Sequence, residues 1–181
     1  IVFIGDDLYI PQTVNLRLGD KAIERSPIKV VLDTIENTSE ALPMRFPPLI
    51  NYKDFGTVGA FGAEYSFCYD GNRFIYSFDA DEDLYLTTSA HEKVEKKKAK
   101  SKYIDHVTVF RSTEGNFQKM VRAQCEHASY GKILYDKYRD VYYRFVYPPC
   151  DTSDYFGDYV ELLRSGRKRF SIMILDNKLN V

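Results

Sequence analysis

Tryptophan is absent from this 181-residue chain, and cysteine and histidine occur three times each. Cys68, Cys125 and Cys150 are odd in number and contain no CxxC pair, so neither a disulfide framework nor a paired-thiolate zinc site is encoded. Only Cys125 and His127 lie close together, which is too few ligands, and no metal or cofactor is expected. The cysteines read as small core or half-buried thiols. A long apolar run is also missing. Segments such as 170–175 fall far short of the ~20 residues of a membrane span. No basic segment leads into an apolar one, and no methionine precedes Ile1, so the chain reads as a trimmed product from which any leader or anchor has gone. An excess of one charge is lacking too: 25 Lys and Arg face 26 Asp and Glu, which gives no global reason to expect nucleic acid or an anionic membrane as partner.

What is abundant is 15 Tyr and 12 Phe. Aromatic side chains favour half-buried pleated surfaces, so the composition leans toward β structure. The length suffices for a sizeable core without disulfides or metal. Ile1–Ile4 and Leu8–Ile10 read as short strands around Gly5-Asp6-Asp7, and Ile28–Leu32 is a β-branched run. Segment 36–40 reads as a polar loop and 42–48, with three prolines, as an extended connection. Gly56, Gly59 and Gly62 are spaced GxxGxxG, which matches neither the dinucleotide nor the P-loop pattern, so turns or a bulge are expected. Tyr65–Tyr69, the turn Asp70-Gly71-Asn72 and Arg73–Phe78 make the clearest hairpin, and Leu84–Thr88 extends it. Tyr130–Tyr135 and Val141–Tyr147 form a second hairpin, and Arg169–Leu175 a further strand. Tyr103–Arg111 alternates like a strand. One helix is expected over 116–128, from Phe117, Met120 and Val121 at helical spacing.

Two patterns recur. Asp-apolar-Tyr stands at Asp7-Leu8-Tyr9, Asp83-Leu84-Tyr85 and Asp140-Val141-Tyr142. A strand ending in Asp before a tight turn stands at Asp33, Asp70, Asp136 and Asp176. Repeating meanders at irregular spacing fit degenerate propeller blades, which bury their faces only by stacking on neighbours. An ordinary β-meander or sandwich is the alternative. The expectation is a mainly β chain, residues 1–181 as a single domain of about three to four blades of a partial propeller.

Candidate chemistry is sparse. The six lysines and two glutamates in 92–102 hold no interleaved aromatic residue, so they read as a solvated edge rather than a nucleic-acid patch. His91, which follows Ser89 and precedes Glu92, reads as a solvated loop histidine, since no GxSxG elbow accompanies it. Asp79, Asp81, Glu82 and Asp83 cluster without an EF-hand pattern, so calcium is a weak prospect. Alternation puts Tyr142 and Arg144 on one face of a strand and Tyr143 on the other. With Asp140, these are the candidate binding residues, suited to a sugar, peptide or protein. The alternative is a cross-strand Tyr–Arg packing pair.

The stretch Tyr130-Gly131-Lys132-Ile133-Leu134-Tyr135-Asp136-Lys137-Tyr138-Arg139-Asp140-Val141-Tyr142-Tyr143-Arg144-Phe145 resembles an uncharacterised family of Bacteroidetes cell-envelope proteins. Phe170–Asp176 and the stretch 78–103 are similar to it as well. That family is a domain of unknown function with a TolB-like six-bladed propeller. The resemblance implies an envelope location, often with a lipid-anchored N-terminus. This chain departs from it by lacking the anchor cysteine near its start and by having about half the length such a ring needs. The function expected is a non-catalytic binding module for a protein or glycan, with self-association through an open strand edge. The alternative is a hydrolase acting on glycans or peptides at an inter-blade cleft.

Overall fold

The computed structural model describes residues 1–13, 25–47, 65–107, 125–150 and 169–181. Eleven strands form three open sheets among these residues. The first sheet runs β1 (Val2–Ile4), β2 (Asp7–Pro11), β3 (Lys29–Asp33) and β4 (Thr38–Ala41). The second runs β5 (Tyr65–Tyr69), β6 (Phe74–Phe78), β7 (Asp83–Thr87) and β8 (Glu95–Lys98). The third runs β9 (Ser129–Asp136), β10 (Val141–Tyr147) and β11 (Ser171–Leu175). In each sheet sequence neighbours are spatial neighbours, and every pairing is antiparallel. The mainly β meander architecture is therefore the one the sequence indicates.

Period-two alternation decides which sheet meets which. Phe74, Tyr76 and Phe78 of β6, with Tyr85 of β7, join one core with Tyr9, Ile28, Leu42, Met44 and Phe46. Ile75, Leu84 and Leu86, which point the other way, join a second core with Tyr130, Ile133, Tyr142, Val146, Met173 and Leu175. The second sheet is thus the middle layer, and all five residues of β6 are buried. A strand covered on both faces loses the polar side of its alternation, as a continuous apolar run does.

The recurring aspartates have a local job. Asp33 Oδ1 accepts hydrogen bonds from the N–H groups of Ile35 and Glu36. Asp70 Oδ1 accepts from Asn72 and Arg73, and Asp136 Oδ1 from Tyr138 and Arg139. Asp176 Oδ1 accepts from Lys178 and Asn180. Each carboxylate replaces the strand partners that the backbone loses as it turns, which is the Asx-turn device. Two tight turns need residues that tolerate positive φ, supplied by Gly5 at 60° and Gly71 at 102°.

Several expectations require correction. Segment 36–40 is not all loop: Thr38–Ala41 is an exposed edge strand paired with β3. The part of 103–111 that is described is not a strand. Residues 102 and 103 form a turn in which the Ile104 N–H donates to the Ser101 carbonyl, while residues 108–111 lie outside the described set. Of the expected helix at 116–128, residues 125–128 are described, and of these 125 and 126 are helical. The glycines at 56–62 lie outside the described residues.

Asp70 also receives the Tyr142 hydroxyl and the Arg73 guanidinium, whereas Asp136 receives only contacts from its own hairpin. Asp70→Ala is expected to lower stability by about 2 kcal/mol in urea unfolding. Asp136→Ala is expected to lower it less. Equal losses would mean that the cross-sheet bonds of Asp70 contribute nothing.

Candidate functional site

The polar residues with unusual environments lie at the two joints between sheets. At the joint between the second and third sheets, Arg144 projects inward from β10 and is fully buried. Its Nε donates to Ser77 Oγ at 2.9 Å, Nη1 to the carbonyls of Glu82 at 2.7 Å and Ala99 at 3.0 Å, and Nη2 to the Asp81 carbonyl at 2.7 Å. The guanidinium plane lies 3.8 Å from the centroid of the Tyr130 ring. Burial pulls its pKa down to about 10, and the nearby Tyr130, Asp81, Asp79 and Asp83 counter part of that loss. The group stays charged at neutral pH with its donors spent on the middle sheet.

Three turns, at 70–73, 136–140 and 176–180, lie at one end of the same joint. There, Tyr142 donates to Asp70 Oδ2 at 2.6 Å, and Arg73 Nε donates to the same oxygen at 2.9 Å. Arg73 Nη2 reaches the Asn177 carbonyl at 2.8 Å, Asn177 Nδ2 donates to Asp140 Oδ2 at 2.9 Å, and Tyr135 donates to Asp140 Oδ1 at 3.0 Å. Burial alone would raise the Asp70 carboxyl, but the bonds from Tyr142, from the Asn72 and Arg73 N–H groups and from the Arg73 side chain hold it below its ordinary value. The chain thereby fastens three turns of two sheets to one another.

The joint between the first and second sheets carries a different cation. Lys29 crosses from β3, fully buried, and its Nζ sits 3.0 Å from the centroid of the Phe67 ring, 5.0 Å from Phe74 and 5.4 Å from Tyr76. It has no hydrogen-bond partner. Burial pulls its pKa down to about 7. A ring face favours an ammonium, yet it offers no lone pair to replace lost water. His91 lies beside this cage and is likewise fully buried, which corrects the reading of a solvated loop histidine. Its Nδ1 donates to the Ser89 carbonyl at 2.8 Å, so Nε2 accepts the Tyr76 hydroxyl at 2.5 Å. Burial holds its pKa down to about 4, so it is neutral. Its hydrogen-bond partners are Tyr76 and Ser89, not a carboxylate.

Of the four candidate binding residues, Tyr142 and Arg144 share the inward face and are buried, Tyr143 is half-buried on the outward face, and Asp140 is exposed in the β9–β10 turn with φ 54°. The alternation of β10 separates Tyr143 from Tyr142 and Arg144, while Asp140 meets Tyr135 and Asn177. The acidic group near Asp81 is structural: Asp81 accepts from the Asp83 N–H and the Tyr85 hydroxyl. Among the described residues no three His, Cys, Asp or Glu side chains are grouped to hold a metal. None of the three cysteines is in a disulfide. In the lysine block, Lys98 and Lys100 meet Glu82, Lys97 donates to Asn180, and Lys96 lies over the Tyr85 ring. Lys29 escaped the sequence reading altogether. For Arg144 a signal existed: one charged residue inside VYYRFVY has to be either a surface contact or a buried, fully bonded one.

Stacked open antiparallel meanders joined by buried cations define a mainly β protein. The chain belongs to the DUF4221 family, a domain of unknown function, whose match covers residues 1–181. Its fold is similar to the crystal structure of a DUF4221 member from Bacteroides vulgatus, with TM-score 0.77 and 20% identity, over 99% of this chain and 49% of that one. The chain thus spans about half the length of that protein. No curated protein matches it. Among the described residues no helix is long and apolar enough to cross a membrane.

Two predictions follow from the joints. Arg144→Met leaves the Ser77 hydroxyl and three carbonyls without their donor, and a loss of about 3 kcal/mol or more is expected. Arg144→Lys is not expected to rescue it, because an ammonium has neither the fork nor the flat face. Lys29 has a folded pKa of about 7 against ~10.4 unfolded. The unfolded chain binds more protons between those values, so the Lys29 contribution makes stability rise with pH from about 7 to ~10. His91, at about 4 folded against ~6.5 unfolded, adds a rise between those values. Above ~10 the sign reverses, because Tyr65, raised to about 12 by burial, keeps its proton longer in the folded state. Thermal melts should therefore peak on the alkaline side. Lys29→Met should raise the melting temperature at pH 7 and flatten the rise above it. An unchanged slope would sink this account.

Proposed function

We propose that this chain is a non-catalytic interaction module of a bacterial envelope protein and that its three sheets are blades of a larger propeller-type ring. The ring reading is supported by three meanders of one strand order stacked through their faces, an arrangement that continues only by adding further sheets. The recognition surface is the tip of the β9–β10 turn, and the ligand is a glycan or a protein segment. One observation carries this reading. The Tyr138 ring is 87% exposed on a turn whose backbone is fixed by Asp136, with Lys137, Arg139 and Asp140 around it. A rigidly presented aromatic ring with charged neighbours suits stacking on a sugar ring or an apolar side chain. Tyr142 and Arg144 tie β10 to the second sheet, and Tyr143, which donates to Asp136, borders the turn. The envelope location is supported by the resemblance of the 130–145 and 170–176 stretches.

Titration against panels of envelope glycans and peptides tests the reading. Binding is expected to weaken at least about tenfold in Tyr138→Ala, with an unchanged melting temperature. A wild-type chain that binds neither panel, or a Tyr138→Ala variant that binds as well as wild type, would overturn it. Fractionation of expressing cells checks the location, with recovery in the cytosolic fraction against it.

A further inference from the structure

His91 stands in the connection between β7 and β8 with a backbone φ of 55°. A residue other than glycine keeps that left-handed conformation only where its surroundings hold it. Its N–H donates to the Thr88 carbonyl and closes the turn. The ring is carried into the joint between the first and second sheets. There it lies 4.9 Å from the Phe74 ring and stacks at 6.3 Å on Tyr9 of the first sheet. Ser89, two residues earlier, meets the Tyr9 hydroxyl. The 88–94 connection of the second sheet is thus pinned to the first sheet through one buried imidazole.

A second proton removes what holds the ring there. On Nε2 it takes away the acceptor that the Tyr76 hydroxyl uses. It also places a second cation beside Lys29, the charged group that acts on the imidazole from β3. The other titratable groups around the ring are hydroxyls: Tyr9 on β2, Tyr76 on β6, and Tyr65 and Tyr69 of β5 behind Tyr76 and Phe74. None of them turns negative in acid. Asp7 acts on Tyr9, and Glu92 of the same connection is exposed. At the joint between the second and third sheets the buried cation, Arg144, is already charged and bonded. We propose that His91 is an acid latch, whose protonation expels the 88–94 connection and opens the joint between the first and second sheets while the joint between the second and third stays closed. This inference is independent of the ring reading and of the recognition tip. Lys29 takes up its proton between ~10 and about 7, so it is charged before the latch acts. His91 protonates at about 4 in the closed joint against ~6.5 in an open one, so opening grows by up to about tenfold for each pH unit between those values.

Amide hydrogen exchange read by mass spectrometry, corrected for the intrinsic effect of pH on exchange, tests it. From pH 7 to about pH 4.5, protection over 8–10, 29–32 and 88–91 is expected to fall at least about tenfold, because a sheet stripped of its partner layer loses its ladder. Protection over 130–135 and 142–146 should hold. His91→Asn removes the titration, keeps a side-chain acceptor and tolerates the left-handed backbone. Its first-sheet protection should therefore stay flat over the same range. If that variant fails to fold, His91→Gln carries the same expectation. Equal loss in every segment overturns the proposal, because the chain then opens as one unit. An acid loss that persists in the His91 variants overturns it too, and so does wild-type protection that does not change between the two pH values.

Discussion

The guanidinium of Arg144 sets the relation between the second and third sheets. It is a permanent cation in the middle of a core, and the middle sheet answers it with backbone carbonyls rather than with a carboxylate. Carbonyl oxygens at residues 81, 82 and 99 come from both strands at one end of the β7–β8 pair, so one side chain fixes where that pair stands relative to β10. The flat face of Tyr130 closes the remaining side. Ion pairs in cores often fail to recover the hydration they give up. Here the cation meets neutral acceptors already in place, and the benefit is a single register.

Lys29 is the counterpoint at the other joint. It is buried as fully as Arg144 and sits closer to its ring, yet accepts nothing and donates to nothing. The difference lies in chemistry. A guanidinium keeps its charge in almost any surroundings, while an amine can shed its proton and become a tolerable core group. One joint is therefore indifferent to pH across the neutral range, and the other is sensitive to it. His91, neutral and bonded to Tyr76, lies on the sensitive side.

Much of the fold was legible because the middle and third sheets are built from hairpins with strong turn chemistry and apolar alternation. Asp33, Asp70, Asp136 and Asp176 recur in the sequence because each caps a turn of the same construction. The strands that escaped notice are those at sheet edges. Thr38–Ala41 is exposed throughout, and Glu95–Lys98 lies within the charge block, so neither has a buried face to impose a pattern. Alternation placed Tyr142 and Arg144 together but did not reveal that their face is the covered one, since both faces of a stacked sheet are apolar. Nothing in Lys29-Val30-Val31-Leu32-Asp33 distinguishes the interior lysine, because its cage comes from β5 and β6, far away in sequence. His91 is buried for the same reason.

The strand order has a consequence for how the chain assembles. Each strand pairs only with its sequence neighbours, and several of the tight turns are closed by their own aspartate, so most pairings within a sheet are local. Contacts that are near in sequence close quickly, and those that are far apart close late. Docking of the layers requires Arg144 to meet three oxygens held by the middle sheet. A third sheet paired one residue out of step would turn its arginine toward water and Phe145 toward the carbonyls. The buried arginine site thus admits one alignment of β10 and penalises its neighbours.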